Sequence, residues 1–421
     1  MQRLLTYIAV LSLLFSCKKE NDHAATNLPA VTTTVVSAIA STDATGGGTV
    51  RSEGSTPVTS RGIVWSTQAH PTIDLPTKTS DGSGTGSYTS SITGLTANTV
   101  YHVRAYATNS AGTAYGNEVT FTTAAPRLYI CGTEWNAALS KQQCKIWVDN
   151  TTGTFWGGND ESFGENIFVS NNGDIYVAGA TKVTQWRATY WKNGTPAYLT
   201  DGNYEAGVSG IVVAGTDVYV CGTERNAAGI LVAKYWKNGI AVSLTDGTTD
   251  AEANDINVSN NIVHVVGYMK NSSGIKTARY WNNGSSTLIG TGGAANAIFV
   301  AGNDVHIAGT YNASSDRAWY WKNGSITDLD NGYGANGLFI TGNDVYVTGF
   351  NNSYEAAYWK NGTMVNLTDG ASGNSIYVAG NDVYVAGKTL ANIPCYWKNG
   401  QKTTLSSSTD WRNRATAIFY R

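Results

Sequence analysis

The chain has 421 residues and a formal net charge of −2, and only 14% of its residues are charged. Soluble domains average about 25% charged residues, so this surface relies on uncharged polar groups and has no basic footprint for nucleic acid. Glycine is abundant at 47 residues, beside 24 tyrosines and 13 tryptophans. This composition predicts an all-β protein of short aromatic strands joined by tight turns, and it excludes collagen and coiled coil.

The N-terminus carries an export signal. Arg3 precedes a nearly continuous apolar run from Leu4 to Phe15. As a helix this run would measure about 18 Å, which is too short for the roughly 30 Å core of a bilayer, so we interpret residues 1–16 as a signal peptide. The segment Leu14-Phe15-Ser16-Cys17 resembles the lipobox of bacterial lipoproteins, which implies that Cys17 becomes the lipidated first residue of the mature chain.

Residues 17–29 are predicted to form a tether after the lipidated cysteine. The charged run Lys18-Lys19-Glu20-Asn21-Asp22 resembles the segment that follows the lipid in lipoproteins of the Bacteroidetes group, and it implies export to the cell surface. A plain solvated linker is the alternative interpretation. We therefore expect a lipid-anchored protein of the outer membrane in the cell envelope, displayed at the surface, with periplasmic display left open.

A first domain is predicted over residues 30–124, where β-rich runs alternate with clusters of Gly, Ser, Asn and Thr at the spacing of an antiparallel sandwich. The run from Leu95 to Gly112 resembles the F-strand region of fibronectin type III domains. The resemblance implies that Tyr101 is a tyrosine-corner residue and that Trp65 is the core tryptophan of an earlier strand. It also implies a spacer or interaction module without chemistry of its own.

The rest of the chain, residues 127–421, consists of repeats, recognised by a Tyr-Trp pair followed by Lys-Asn-Gly. The repeated tryptophans recur every 38 to 45 residues, a spacing typical of propeller blades, and they are Trp147, Trp191, Trp236, Trp281, Trp321, Trp359 and Trp397. We expect them to pack between blades. The first copy is degenerate, with Ile146 before its tryptophan.

Each repeat predicts four antiparallel strands, because Asn-Asp and Asn-Gly pairs punctuate its apolar runs and Asn-Gly is a strong hairpin signal. Four strands in a repeat of this length indicate a seven-bladed β-propeller. Residues 128–132 begin at the second strand of a repeat, whereas residues 416–421 are a first strand with nothing after it. We therefore predict that the C-terminal strand pairs with the N-terminal blade and closes the ring.

Four tryptophans outside the repeated positions are expected on one face, formed by the loops between strands two and three and between blades. Function in a scaffold tends to reside in such variable loops. These tryptophans and their expected polar neighbours are Trp135, Trp156, Trp186, Trp411, Glu134, Asp160, Glu161, Arg187, Asp410, Arg412 and Arg414. Exposed aromatic rings beside planar polar groups suit carbohydrate or peptide recognition. The alternative is that these tryptophans pack the seam between the chain ends.

Residues for metal or nucleophilic chemistry are scarce. His264 and His306 replace a repeated strand tyrosine, and no histidine falls in a variable loop, so neither a Ser-His-Asp base nor a histidine metal site is predicted. We expect no cofactor and no bound metal. Cys131 and Cys144 are predicted on adjacent strands, where they could form a disulfide in an oxidising compartment.

From these features we expect a monomeric, non-enzymatic binding or adhesion module for a glycan or an envelope protein, with no nucleic acid partner. One alternative is a glycoside hydrolase or lyase that uses carboxylates alone, which needs two of them about 5–10 Å apart. The acidic residues expected in the loops between blades are Glu205, Asp250, Glu252 and Asp255. Another alternative is a scaffold subunit of an envelope complex, which would expose a broad apolar patch.

Overall fold

The computed structural model describes residues 27–311 and 317–421. Within these ranges all regular structure is β-strand, and the chain divides into two compact units between Ala124 and Ala125. The predicted signal peptide, Cys17 and the first ten residues of the 17–29 tether lie outside the described residues. The described part has no helix with the length and apolarity needed to cross a bilayer.

The first unit contains two antiparallel sheets. Its strands are β1 (Ala30–Thr33), β2 (Asp43–Ser52), β3 (Ser60–Ser66), β4 (Gly86–Thr93), β5 (Val100–Asn109), β6 (Gly112–Tyr115) and β7 (Val119–Thr122). One sheet has the order β1-β2-β4 and the other the order β3-β5-β6, with β7 also paired to β5. The alternating burial along β5 follows from its alternating apolar residues, which face the other sheet.

The core of the first unit contains the predicted Trp65 together with Ile63, Ile92 and Val103. Tyr101 is also buried, and its hydroxyl accepts a hydrogen bond from the backbone N–H of Thr96 at 2.9 Å. A tyrosine corner has this geometry, in which the phenol bonds to the backbone a few residues upstream. The contact holds the chain that enters β5 against the core.

Residues 125–311 and 317–421 of the second unit contain 28 strands. In chain order they are β8 (Leu128–Asn136), β9 (Lys141–Val148), β10 (Thr154–Phe155), β11 (Glu161–Val169), β12 (Ile175–Lys182), β13 (Trp186–Lys192), β14 (Thr195–Tyr198), β15 (Ala206–Ala214), β16 (Asp217–Arg225), β17 (Leu231–Lys237), β18 (Ile240–Ser243), β19 (Ala251–Ser259), β20 (Ile262–Lys270), β21 (Lys276–Asn282), β22 (Ser285–Thr291), β23 (Gly293–Ala301), β24 (Asp304–Tyr311), β25 (Arg317–Lys322), β26 (Ser325–Asp328), β27 (Gly332–Thr341), β28 (Asp344–Asn351), β29 (Ala356–Lys360), β30 (Thr363–Asn366), β31 (Gly370–Ala379), β32 (Asp382–Thr389), β33 (Pro394–Lys398), β34 (Gln401–Thr404) and β35 (Arg414–Tyr420).

These strands form seven four-stranded antiparallel sheets. Six sheets take four consecutive strands each, beginning at β11, β15, β19, β23, β27 and β31. The remaining sheet, counted as the first, has the order β10-β9-β8-β35 and so joins the two ends of the unit, with Phe419 opposite Tyr129. The first strands contact one another in sequence, from β11 through β31 to β35, and β35 contacts β11. Contacts between sheets therefore pass through all seven and return to the start.

A set of polar contacts at the hairpin between the third and fourth strands of a sheet explains why Lys-Asn-Gly recurs. Asn193 and Gly194 both have positive φ, 49° and 83°, as a tight hairpin requires. The Asn193 side chain accepts from Ile175 N at 2.8 Å and donates to Asp174 at 2.7 Å. Lys192 pairs with the same carboxylate at 2.8 Å, and these contacts lower the pKa of Asp174. The same contacts of one aspartate with an asparagine and a lysine recur in four other sheets, as Asp217–Asn238–Lys237, Asp304–Asn323–Lys322, Asp344–Asn361–Lys360 and Asp382–Asn399–Lys398.

Six of the seven repeated tryptophans are fully buried, and the fifth repeat departs from the prediction. Trp321 is only half-buried there, whereas Trp319, two residues earlier, is 1% exposed. The indole of Trp319 lies over Gly309, in the space that Trp191 occupies over Gly179. Because glycine has no side chain to fill this space, whichever neighbouring tryptophan enters it becomes the buried one.

Candidate functional site

Two of the predicted tryptophans meet around one arginine. The Arg412 guanidinium carbon lies 3.7 Å from the ring centroid of Trp135 and 5.7 Å from that of Trp411. Asp410 holds the arginine with two hydrogen bonds, of 2.7 Å from Nε and 2.6 Å from Nη2. The Trp411 side chain is 71% exposed. An exposed indole beside an oriented, stacked guanidinium forms a flat surface with planar donors at its centre.

The loop before β35 is anchored by a residue that the sequence analysis missed. Asn413 is fully buried, accepts from the backbone N–H of Trp135 at 2.8 Å and donates to the carbonyl of Ser408 at 3.1 Å. Asp410 accepts from Asn413 N through its carbonyl at 2.9 Å. These bonds position the loop against the end of β8, so the stacked arrangement rests on fixed backbone.

Glu161 extends this surface toward Trp186. Hydrogen bonding to Asp410 raises the pKa of Arg412, and the nearby charge of Glu161 acts in the same direction. Glu161 also pairs with Lys182 at 3.4 Å, and the Lys182 ammonium lies 5.5 Å from the ring centroid of Trp186. We define the Trp411 surface as Trp135, Glu161, Asp410, Trp411 and Arg412. Trp186 adjoins it through Lys182, a residue that the sequence analysis did not single out.

Trp186 lines a separate cavity of about 330 Å³ with Glu205 and Arg225. Its ring packs against Phe163 in a tilted arrangement, with the centroids 4.8 Å apart and the planes at 57°. Arg187, predicted in the same group, stacks its guanidinium carbon 3.4 Å from the ring centroid of Tyr198. No contact joins Arg187 to the Trp411 surface within the described residues, so its role there stays a prediction.

Three other predicted residues have different surroundings. Glu134 is buried, forms an ion pair with the buried Lys145 and accepts a hydrogen bond from Ser406. The prediction that Glu134 contributes to the ligand-binding face is therefore wrong, because its side chain is not accessible to a ligand. Trp156 is half-buried against the core of the first two sheets and lies beside Gly194 in a Lys-Asn-Gly turn. Asp160 is exposed, and its carbonyl accepts from Gln143 at 3.1 Å.

The acidic residues expected between blades divide into two pairs. Glu205 and Asp250 precede β15 and β19 and are neutralised by Arg225 and Lys270, both at 2.9 Å. Glu252 and Asp255, which the sequence analysis also placed in loops, lie inside β19. The periodic apolar pattern of that strand begins only after them, which is why the sequence suggested a later start. The structure directs both toward the centre of the unit.

A central cavity of about 680 Å³ is lined by the first strands of all seven sheets. Each of these strands has a β-bulge, where one residue has no partner on the neighbouring strand. These bulge residues all line the cavity and are Glu165, Ser209, Asn254, Asn296, Asn336, Asn374 and Thr416. Sequence reasoning missed them, although an asparagine at the same place in four consecutive repeats was a visible signal.

In five of the seven sheets, the bulge residue forms a hydrogen bond to the next sheet. Each donates to the carbonyl of the residue that precedes the next bulge: Asn254 to Ala295 at 2.9 Å, Asn296 to Ala335 at 2.8 Å, Asn336 to Gly373 at 3.0 Å, Asn374 to Ala415 at 2.8 Å and Thr416 to Gly164 at 2.8 Å. Within the described residues the series is interrupted at Glu165 and Ser209. Glu165 cannot donate when ionised, and it instead accepts from Arg414 at 2.5 Å.

An aromatic arc lies three residues after the bulges. It consists of Phe168, Phe299, Phe339, Tyr377 and Phe419, all half-buried. Consecutive centroids are 5.3 Å apart for Phe299 and Phe339, 4.6 Å for Phe339 and Tyr377, 5.4 Å for Tyr377 and Phe419, and 5.4 Å for Phe419 and Phe168. Val212 and Asn257 occupy the equivalent positions of β15 and β19 and leave the arc open there.

Asp255 lines the open side of the cavity. One carboxylate oxygen accepts from Ile256 N and the other from Ile298 N, both at 2.9 Å. Burial raises the pKa of Asp255 to about 7, against the smaller opposing effect of these two bonds. Because Ile298 belongs to β23, the carboxylate clamps the fourth sheet to the fifth, which is a structural role.

The sulfur and metal chemistry of the described residues is limited. Cys131 and Cys144 are buried free thiols, so the disulfide that they could form is not present. Cys131 is opposite Ile146 and Cys144 is opposite Thr133, so the two are not directly paired across the strands. Burial raises the pKa of Cys131 to about 12. Among residues 27–311 and 317–421, no group of three or more His, Cys, Asp or Glu is arranged to hold a metal ion.

Comparison with known proteins adds little to this geometry. No protein-family model matches the chain, and no curated protein matches it. Among solved structures, the crystal structure of a DUF4784 family protein from Bacteroides caccae ATCC 43185 aligns with a TM-score of 0.31 and 10% sequence identity, over 94% of this chain and 99% of that chain. At that TM-score the similarity carries no conclusion about this chain.

Proposed function

We propose that residues 127–421 form a seven-bladed β-propeller and that residues 30–124 form a fibronectin type III-like sandwich. The seven four-stranded sheets, the cyclic contacts of their first strands and the pairing of β35 with β8 support the propeller. Full closure of this kind removes exposed strand edges. The two sheets of the first unit and the Tyr101 hydrogen bond support the sandwich.

The proposed setting is the cell envelope. The apolar run of residues 4–15 and the lipobox-like segment that ends at Cys17 support a Bacteroidetes-type lipoprotein, anchored to the outer membrane by lipid and displayed at the surface. The propeller and the sandwich would then be held outside the bilayer by the tether of residues 17–29. We propose that the chain acts as a monomer.

The proposed activity is non-enzymatic binding of a glycan through the Trp411 surface, and the 71% exposure of Trp411 carries this proposal. A tryptophan that packed the seam between the chain ends would be buried, because burying an indole is what stabilises such a seam. Asp410 orients Arg412, and Arg412 covers Trp135, so planar donors and an aromatic face lie side by side. An envelope protein as ligand is the alternative, since exposed tryptophan and arginine are also typical of protein interfaces.

The hydrolase alternative has weaker support. A glycosidase needs one carboxyl group to protonate the leaving oxygen and a second to attack or to activate water. Asp255 has the raised pKa that such an acid requires, but both of its oxygens accept backbone N–H groups. Glu165 is held by Arg414. The scaffold alternative predicts a broad apolar face, whereas the Trp411 surface alternates aromatic and charged groups.

A glycan array screened with the soluble chain lacking residues 1–17 tests the proposal. The parent should bind, Trp411→Ala should abolish binding without lowering the melting temperature, and Trp135→Ala should weaken it. The matched control is Trp186→Ala, because Trp186 only adjoins the surface. If no glycan binds the parent, or if Trp411→Ala binds as the parent does, the glycan proposal fails. A protein partner would then be sought by crosslinking at position 411 on intact cells.

A further inference from the structure

The central cavity is separate from the Trp411 surface. Trp135, Asp410, Trp411 and Arg412 are absent from its lining, which comes from the first strands of the sheets and the residues beside them. Its volume of about 680 Å³ falls within the range of small-molecule sites, about 300–1,000 Å³. An occupant can therefore be inferred from the lining alone.

The bulge asparagines leave this lining rich in hydrogen-bond acceptors. A side-chain amide offers two N–H donors and one carbonyl acceptor. Both amide hydrogens of Asn254 have partners, Ala295 O at 2.9 Å and Asn296 Oδ1 at 3.3 Å. Within the described residues, the Oδ1 atoms of Asn254, Asn336 and Asn374 accept no hydrogen bond. A well-matched ligand must therefore present several donors of its own.

The aromatic arc supplies an apolar wall to the same cavity. Its phenylalanines are half-buried rather than fully buried although they lie at the centre of the unit, and Phe168, Phe299, Phe339 and Phe419 all line the cavity. The faces of such rings bury the apolar C–H face of a flat ligand. Because the arc is open at Val212 and Asn257, the wall covers only part of the circumference.

Positive and negative charges on the lining are similar in number. Glu165 pairs with Arg414 at 2.5 Å. Lys276 lies 3.9 Å from the ring centroid of Tyr268, and burial, with hydrogen bonding to Glu252, raises the pKa of that tyrosine. Asp255 is occupied by two backbone N–H groups. The lining therefore carries opposite charges in similar number, Arg414 and Lys276 beside Glu165 and Glu252, which favours a neutral ligand over a strongly charged one.

Acceptor-rich amides, an aromatic wall on one side and balanced charge together describe a neutral ligand with an apolar face and a hydroxylated edge. We propose that the central cavity is a second binding site, for a small neutral carbohydrate of one or two rings. Its apolar face would lie on the aromatic arc, and its hydroxyls would donate to Asn254, Asn336 and Asn374. This proposal does not depend on the glycan proposal for the Trp411 surface.

Saturation-transfer NMR with the soluble chain lacking residues 1–17 tests this site. The probes are D-glucose, D-galactose, N-acetyl-D-glucosamine and cellobiose, with D-glucuronate and D-glucosamine as charged comparators. The parent should bind one or more of the neutral sugars more tightly than the charged comparators. Phe339→Leu, which removes the flat ring but retains an apolar side chain, should weaken that binding about tenfold.

Two further variants separate the cavity from the surface. Trp411→Ala should leave cavity binding unchanged, and Asn374→Asp should alter it through the charge introduced. If Phe339→Leu has a lowered melting temperature, Asn374→Asp still tests the site. Crystals soaked with the sugar that binds most tightly should show that sugar in the cavity. The proposal is overturned if no neutral sugar binds with a dissociation constant below about 10 mM. It is also overturned if Trp411→Ala removes binding while Phe339→Leu retains it.

Discussion

Arg412 stacks on Trp135 at 3.7 Å while Asp410 holds its guanidinium in two hydrogen bonds. The indole therefore faces an arginine whose orientation is already determined before any ligand arrives. Preorganised groups lose less conformational entropy on binding. The neighbouring Trp411 is free to take the apolar part of a ligand, since it is 71% exposed.

Replacing Arg412 by lysine should weaken ligand binding at the Trp411 surface about tenfold, because a lysine ammonium has neither the flat face nor the fork that Asp410 requires. Titration of the array-selected glycan measures the effect. Arg187→Lys is the matched control, since Arg187 stacks on Tyr198 instead. Equal losses for both variants would mean that Arg412 does not orient the ligand.

Asp255 should make stability depend on pH. Its pKa is raised from 3.8 to about 7, so between these values the folded chain binds a proton that the unfolded chain has released. Stability from this group is thus fully present below about pH 4 and is lost as pH rises through about 7, by about 1.4 kcal/mol for each unit of pKa difference. Denaturant melts from pH 4 to 8 measure this slope.

Asp255→Asn should remove that pH dependence and lower stability at pH 4, because an amide cannot accept from both Ile256 N and Ile298 N. An unpaired buried N–H costs about 1–3 kcal/mol. The exposed Asp246, whose pKa is lowered by bonds from Thr248, provides the control Asp246→Asn. A slope that persists in Asp255→Asn would assign the titration to another group.

Asn336→Ala should destabilise the second unit by about 0.5–1.5 kcal/mol, since it removes the bond from Asn336 to Gly373 O in the next sheet. Thermal melts should show a lower midpoint. The control is Ser209→Ala at the equivalent bulge, where no bond between sheets occurs within the described residues. A larger loss for Ser209→Ala would contradict the role assigned to the bulge series.

Trp319→Ala should cost about 3–5 kcal/mol, the range for emptying a buried aromatic site, because Trp319 fills the space over Gly309. Trp321→Ala should cost clearly less, although Trp321 holds the repeated position, since it is only half-buried. Chemical denaturation of the two variants compares them directly. If Trp321→Ala proved the more damaging, the assignment by burial would be wrong.

The candidate site was only partly predictable. Trp135, Trp411, Asp410 and Arg412 were named from their loop positions, and the structure brings them together. Glu134 was named for the same reason, yet it is buried and forms an ion pair with Lys145. Residue type and loop position do not reveal which side chain finds an oppositely charged partner on the neighbouring strand.

The bulge residues could not be assigned from the repeats either. A bulge depends on how two strands align, and its hydrogen bond reaches a carbonyl in a different sheet, about 40 residues on, as from Asn374 to Ala415. Repeated asparagine was visible in the sequence, but the direction of its side chain was not.

By itself, the sequence determined the all-β composition, the repeat length and the Asn-Gly turns, because these depend on local backbone preference. Asn193 and Gly194 adopt positive φ wherever their sheet lies. Only the tertiary structure decided that Trp319 and not Trp321 is buried, that Asp255 clamps two sheets, and that a cavity with an aromatic wall lies at the centre. Each of these depends on which residues of distant strands come into contact, and packing and desolvation act on those contacts rather than on neighbours in the chain.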